Sequence, residues 1–198
     1  DLSQPLDLGR TLDLVVSLEV AEHLKPPEAD TFVASLVKAG PIVLFSAAAP
    51  YQGGIGHFNE QWPGYWAQKF AKHRYLPVDF IRRRIWNRPE IAWWYAQNTL
   101  LYVEKSRLVQ HPVFLAEHNA NPQAQPLVHP QWFMNWVNWC LTLVKEKEQA
   151  KGGKRPSEAV PGDGRVEGSP RLELDRRARS DGAHLGAGAG PPPGRGDR

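Results

Sequence analysis

A histidine and a glutamate that are three residues apart form the strongest candidate for acid–base chemistry in this sequence. His57 lies in a glycine-containing loop, residues 51–59, and Glu60 directly follows that loop. An imidazole oriented by a carboxylate can accept a proton from a poorly ionised hydroxyl or amine near neutral pH. We therefore interpret His57 and Glu60 as a catalytic pair. The alternative is that Asn59 and Glu60 are the N-cap and first-turn acid of a helix that begins at about Glu60.

Glu19 and His23 form a second candidate pair, four residues apart, directly after the apolar run Leu12–Leu18. The Glu19 carboxylate can accept a hydrogen bond from a bound substrate or orient it, and His23 can line the same cleft. The alternative for Glu19 is a carboxylate that stabilises the N-terminus of a helix through the helix dipole. The alternative for His23 is a packing histidine.

The remaining histidines are scattered along the chain and do not have the spacing of a metal-ligand set. They are His73, His111, His118 and His129. The single cysteine, Cys140, cannot form a cysteine-based zinc site or an internal disulfide. We therefore predict no metal site, and we predict that Cys140 is a small, buried or half-buried apolar residue.

A strand–helix–strand unit is expected to position the candidate side chains. The run Leu12–Leu18 is short, β-branched and almost continuously apolar, which is typical of a strand covered on both faces. A helix is predicted from Pro27 to about Lys38, and a second buried strand follows at Pro41–Ala47. Short connections between these elements predict two parallel strands of a βαβ unit. Open sheets of this kind place ligands at the carboxyl ends of their strands.

The rest of the ordered region is predicted to alternate between helices, strands and one irregular connection. The predicted elements are a helix over 60–72, strands at Leu76–Ile81 and Asn98–Val103, an irregular connection over 106–130 and a Trp-rich helix at Gln131–Glu148. The predicted fold class is therefore α/β.

The C-terminal segment, residues 151–198, has a different composition. It is rich in Gly and Pro and contains no aromatic residue. Such a segment cannot bury enough apolar surface to offset its ordering entropy, and we predict that it is disordered. The net charge of +3 falls entirely in residues 145–198. The positive charge is therefore no indication of a nucleic-acid-binding core, and we predict no nucleic-acid partner.

The sequence also bears on location. It contains one thiol, no recognisable signal peptide at its start and no apolar run of the roughly 18 residues that a membrane span needs. We predict a cytoplasmic protein without a membrane partner.

Several segments resemble one enzyme superfamily. The stretch LDLVVSLEVAEHL, residues 12–24, resembles the fourth strand and following loop of class I S-adenosylmethionine-dependent methyltransferases. Residues 1–6 are similar to the segment after that family's third strand. Residues 56–63 and 93–98 resemble segments of one bacterial branch, where they lie after the fifth strand and before the final antiparallel strand. The resemblance covers about residues 1–104 and implies the later strands of a Rossmann-like, doubly wound sheet.

The resemblance also implies binding residues for S-adenosylmethionine. Asp1 and Leu2 match the family's adenine contact, although Asp1 could instead be a frayed terminus. Leu18, Glu19 and Val20 match the turn beside the methionine end of the cofactor.

The implied reaction is methyl transfer to a small-molecule acceptor, with His23, Asn59 and Trp62 as substrate-binding candidates. Trp66, Trp86, Trp93 and Trp94 either contribute with Trp62 to an aromatic acceptor pocket or, by default, pack in the core. The transfer is an in-line displacement at a sulfonium carbon, so the protein mainly supplies alignment and desolvation.

Two features leave an alternative function open. The family's glycine-rich turn and the acidic residue after its second strand do not occur in these 198 residues. The alternative is therefore a non-catalytic fragment or a binding module that retains only the substrate half of the fold. In addition, Leu12–Leu18 would be an open, apolar sheet edge, so we expect preceding strands, a partner chain or a dimer to cover it.

On this basis the chain divides into three segments. Residues 1–105 form the C-terminal part of a methyltransferase domain, residues 106–150 a connection and Trp-rich helix, and residues 151–198 a disordered tail.

Overall fold

The computed structural model of the chain describes residues 1–151, which form a mixed α/β fold around a four-stranded sheet. The strands are β1 Val15–Leu18, β2 Ile42–Ser46, β3 Tyr75–Val78 and β4 Leu100–Glu104. The α-helices are α1 Ala29–Ala39, α2 Pro63–Ala71, α3 Arg82–Ile85, α4 Trp93–Asn98, α5 Lys105–Leu108, α6 Pro112–Ala120 and α7 Pro130–Lys151. Two 3-10 turns, Ala21–His23 and Pro26–Glu28, lie between β1 and α1.

The sheet has the strand order β1-β2-β4-β3. Strands β1 and β2 are parallel, with Val15 opposite Val43, and this confirms the predicted βαβ unit. Strand β4 is antiparallel to both of its neighbours, β2 and β3. The sheet is therefore mixed, and only its β1–β2 half has the parallel geometry expected from the sequence.

Helices cover both faces of the sheet because side chains of the central strands alternate between two apolar clusters. Phe45 and Tyr102 belong to the cluster that packs against α1 and α2. Leu101 and Val103 belong to the cluster that packs against α5 and α6. The described residues thus form three layers, with the central strands β2 and β4 in the core.

The prediction of an irregular connection over 106–130 is wrong, because this segment includes most of α5 and all of α6. Pro112 begins α6, where a missing N–H costs nothing. Phe114 and Leu115 of that helix pack against the apolar cluster on the sheet. Packing against the sheet therefore orders a segment whose Pro, Asn and Gln content suggested a loop.

The prediction that the first strand is covered on both faces is also wrong. Within residues 1–151, β1 pairs with β2 alone and lies at the edge of the sheet. Val15 is buried against the α1 side, but Val16 on the other face is 57% exposed. Leu14, just before the strand, is also exposed.

The long C-terminal helix is confirmed as α7, but most of its apolar residues are not covered. Trp132 is buried, whereas Phe133 and Trp139 are exposed. Cys140 is exposed, so its predicted burial is wrong. No helix within residues 1–151 combines the length and the apolar character that crossing a membrane requires. The predicted tail lies, from residue 152 onward, outside the described residues.

Candidate functional site

A polar cavity of about 220 Å³ lies beyond the carboxyl ends of β1 and β2. Segments that follow these two strands supply most of its walls, and α4 supplies the rest. Its lining residues are Glu19, Glu22, His23, Gln52, Gly53, His57, Trp93 and Trp94.

Glu19 is the first residue after β1 and has a left-handed backbone conformation, with φ of 52°. Its N–H donates to the carbonyl and the hydroxyl of Ser46, each at 3.0 Å, which fastens the turn to the end of β2. Its carboxylate accepts hydrogen bonds from Gln52 Nε2 at 2.7 Å and from Asn98 Nδ2 at 3.3 Å. Burial raises the pKa of Glu19 above its ordinary value. A non-glycine residue in this conformation often marks a functional turn, since the surrounding structure must over-determine it.

The amides that hold Glu19 are themselves connected. Asn98 Nδ2 also donates to Gln52 Oε1 at 2.7 Å, and that oxygen accepts the Ala49 N–H at 3.2 Å. Gln52 lies in the loop after β2, and Asn98 is the last residue of α4. This network therefore orients the Glu19 carboxylate from two separate elements.

Glu22 lies in the 3-10 turn after β1 and is completely buried. Neither of its carboxylate oxygens accepts a hydrogen bond of ordinary geometry among the described residues; the groups beside it that favour its charge are the backbone N–H groups of Glu22 itself and Ala48. Burial, with the nearby charge of Glu19, raises the pKa of Glu22 to about 8. The backbone carbonyl of Glu22 accepts the N–H groups of Phe58 at 2.8 Å and Asn59 at 3.0 Å, so the loop over 51–59 is tied to this turn.

The structure brings the predicted pair His57 and Glu60 together. Nδ1 of His57 lies 2.9 Å from Oε1 of Glu60. The Glu60 carboxylate also accepts the N–H groups of Tyr51 and Gly53, each at 2.7 Å. A Cβ at Gly54 would overlap the His57 ring, so this ring position requires a glycine there.

The alternative reading of Asn59 and Glu60 as helix-start residues is wrong. Helix α2 begins at Pro63, and its N-cap residue, Trp62, makes no side-chain capping bond. Glu60 instead anchors the loop and His57, as an acceptor of three hydrogen bonds.

His23 lies beside His57, with ring centroids 4.8 Å apart in a T-shaped arrangement. Nδ1 of His23 is 3.1 Å from the backbone oxygen of Gly56. Ligand atoms of Glu22, His23 and His57 all lie within 4.8 Å of one another. The prediction of no metal site did not anticipate this cluster, because His57 is remote in sequence from the other two residues.

Some substrate candidates lie elsewhere. Asn59 is buried and its Oδ1 accepts a bond from Gln61, so it does not line the polar cavity. Trp62 lines a second, apolar cavity of about 390 Å³ instead. The other walls of that cavity are Pro50, Tyr51, Val128, Trp132, Phe133 and Trp136. Trp66 belongs to α2 and is buried in the core.

Of the five residues matched to the cofactor, the structure places Glu19 alone in the wall of the polar cavity. Leu18 and Val20 flank it, and Val20 packs against the core. Asp1 and Leu2 are exposed, and the Asp1 carboxylate accepts hydrogen bonds from the N–H and hydroxyl of Ser3.

Sequence reasoning missed Glu22, Gln52 and Asn98. Glu22 had a usable signal, since it is three residues after Glu19 and adjacent to His23. Gln52 and Asn98 had none, because 33 and 79 residues separate them from Glu19.

Comparison with known proteins gives no assignment: no protein-family model, curated protein or solved structure matches the chain.

Proposed function

We propose that this chain contributes to methyl transfer from S-adenosylmethionine to a small-molecule acceptor. The observation that carries the proposal is the polar cavity beyond the parallel strands β1 and β2, with Glu19 in a strained turn at its wall. The resemblance implies the methionine end of the cofactor at this turn. The carboxyl ends of parallel strands are the general ligand site of open α/β sheets.

The fold supports the same proposal at a coarser level. The parallel pair β1–β2 and the antiparallel strand β4 agree with the later strands of a Rossmann-like, doubly wound sheet, whose final strand is antiparallel. Helices on both faces of the sheet agree with it as well.

The residues fit one end of S-adenosylmethionine better than the other. The Glu19 carboxylate, held by amide donors in the cavity wall, complements a sulfonium cation. The adenine end has no comparable support, because the Asp1 carboxylate is engaged by Ser3 and the sequence lacks the glycine-rich turn. The bound cofactor supplies an electrophilic methyl group and a good leaving group.

His57 is the proposed proton acceptor. If Nδ1 donates to Glu60, Nε2 of the same ring carries the lone pair that can take a proton from an acceptor hydroxyl. Glu60 acts as a positioning residue, because its own carboxylate is held by two backbone N–H groups. Trp93 and Trp94 line the cavity with apolar surface and exclude water from it.

The second candidate function is a binding module that retains only the substrate half of the fold. The observation that favours it is the apolar cavity of about 390 Å³, which lies apart from the polar one. The apolar cavity around Trp62 would then be the main binding feature, for a flat apolar ligand. A cytoplasmic location remains a prediction under either function.

Calorimetric titration with S-adenosylmethionine, in the presence of a chelator, tests the proposal. It is done on this chain and on a longer one that begins with a glycine-rich strand and turn. We expect binding by the longer chain at least, and weaker binding after Glu19→Gln but not after Glu90→Gln, which changes an exposed carboxylate. Binding by the longer chain alone means that these residues form half of a site. No binding by either chain overturns the methyltransferase proposal.

A further inference from the structure

We propose that Glu22, His23 and His57 bind one divalent transition-metal cation, of the class to which Zn²⁺ and Co²⁺ belong. The three side chains line one cavity, and their ligand atoms lie within 4.8 Å of one another. The site itself does not depend on the proposed methyl transfer.

The environment of Glu22 favours a bound cation. A fully buried carboxylate normally has hydrogen-bond donors or a cation beside it, because its desolvation is otherwise uncompensated. Within the described residues, no side chain donates to either oxygen of Glu22, and the nearby backbone N–H groups of Glu22 and Ala48 do not reach hydrogen-bond geometry. The carboxylate lies in the cavity wall next to two imidazoles, so a cation in the cavity would supply the partner that it lacks.

The contacts that hold His23 and His57 also favour a metal ion. Nδ1 of His57 contacts the Glu60 carboxylate at 2.9 Å, and Nδ1 of His23 contacts the Gly56 carbonyl at 3.1 Å. Both partners are acceptors, so the neutral form of each ring would carry its proton on Nδ1 and keep a lone pair on Nε2. Metal-bound histidines are oriented in this way by a carboxylate or a backbone carbonyl behind the ligand.

Of the two glutamates in the cavity wall, Glu22 is the one available as a metal ligand. Both oxygens of Glu19 already accept amide hydrogen bonds, from Gln52 and Asn98. Glu19 is therefore not counted as a ligand. The Glu22 carboxylate, in contrast, accepts no side-chain hydrogen bond within the described residues and lies one residue before His23.

The donor set selects the kind of cation. One carboxylate and two imidazoles are a known ligand set for Zn²⁺ and other transition metals, whereas Mg²⁺ and Ca²⁺ prefer oxygen ligands alone. Metal–ligand bonds of about 2.0–2.1 Å require the ligand atoms to approach to roughly 3.3 Å in a tetrahedron. The glycines at 53, 54 and 56 allow the loop that carries His57 to make this small closing movement.

Three protein ligands leave a coordination position for an oxygen of water or of an acceptor. A hydroxyl bound there would ionise near neutral pH without a separate base. Ionisation of an acceptor hydroxyl on the metal, unlike the metal site itself, rests on the proposed function. In that case His57 would be a metal ligand and not the proton acceptor.

The test is a titration of the chelator-treated 198-residue chain with Co²⁺, followed by its visible absorption, and then displacement with Zn²⁺. No S-adenosylmethionine is present, so the outcome is separate from that of the methyltransferase test. We expect one equivalent of Co²⁺ to produce an intense band. Glu22→Gln and His23→Gln should abolish the band, and Glu60→Gln should weaken affinity by about 10- to 100-fold. His73→Gln, which removes an exposed histidine, should leave the band unchanged.

The proposal is overturned if no band forms, if the band survives Glu22→Gln, or if His73→Gln removes it. Circular dichroism of each variant shows whether it has folded. A second measurement on the unaltered chain does not need variants: Zn²⁺ should shift the Nε2 nuclear magnetic resonances of His23 and His57. Unshifted resonances would equally overturn the site.

Discussion

At the residue scale, two buried acidic residues differ in whether an opposite charge accompanies them. This difference predicts how the removal of each carboxylate changes the free energy of unfolding. Asp79 makes a two-point ion pair with the fully buried Arg82, at 2.9 Å to Nε and 2.7 Å to Nη2. Glu22 is equally buried but has no ion-pair partner and no side-chain donor among the described residues. Removing the first carboxylate should therefore destabilise the protein, and removing the second should not.

Asp79→Asn should lower the free energy of unfolding by about 3–5 kcal/mol, because it leaves the buried Arg82 guanidinium without a counter-charge. Equilibrium urea denaturation measures this change. The control is Glu90→Gln, which breaks the exposed pair with Arg88 and should cost less than about 1 kcal/mol. Equal effects of the two substitutions would contradict the burial argument.

Glu22→Gln should raise the free energy of unfolding of the metal-free protein by about 1–2 kcal/mol at neutral pH, since it replaces a buried, unpartnered acid by a neutral amide. Urea denaturation with a chelator present measures the change. A loss of stability instead would mean that the carboxylate has favourable partners in the metal-free protein.

At the scale of elements, one tyrosine joins a strand to the end of a helix. The Tyr75 hydroxyl, at the start of β3, lies 3.0 Å from the Val37 carbonyl and 2.9 Å from the Gly40 carbonyl. These carbonyls belong to the C-terminal end of α1 and the residue that follows it, where helices leave backbone acceptors without partners. Burial raises the pKa of Tyr75 to about 12.

Because the folded-state pKa of Tyr75 exceeds its unfolded value of 10.0, its contribution to stability is complete below pH 10 and is lost as pH rises towards 12. We expect the free energy of unfolding to fall more steeply over this range than in Tyr75→Phe, by about 2 kcal/mol in total. Below pH 10 the variant should be about 1 kcal/mol less stable, from the lost hydrogen bond. Urea denaturation at a series of pH values measures both effects, and parallel pH profiles would show that Tyr75 does not titrate in this way.

The sequence predicted some secondary-structure elements well and missed others. The helix now called α1 and its two neighbouring strands were predicted because their apolar spacing and flanking Pro and Gly residues are local signals. Helix α6 was missed, because Phe114 and Leu115 are ordered by the sheet beneath them rather than by a clear helical pattern.

At the scale of the whole molecule, one edge of strand β1 has no neighbouring strand among the described residues. Within residues 1–151 the strand pairs on one side alone, and its Val16 is 57% exposed. An apolar edge of this kind is a template for pairing with another chain. The predicted partner chain or dimer at this edge therefore remains our expectation.

Val16→Lys should reduce concentration-dependent self-association, because a charged side chain on an edge strand opposes edge-to-edge pairing. Sedimentation velocity over a range of protein concentrations measures the change. Val113→Lys, at an exposed position of α6, is the matched control and should leave association unchanged. Association that is insensitive to Val16→Lys would locate the contact elsewhere.

The sequence by itself determined the parallel βαβ unit, the position of the candidate site residues after its strands and the pairing of His57 with Glu60. These features depend on local periodicity or on residues only three positions apart. The tertiary structure alone decided that Glu22 lies beside His57, that Gln52 and Asn98 hold Glu19, and that one face of β1 is exposed. The physical reason is that these contacts join segments distant in sequence, which come together only when the sheet and α4 have packed.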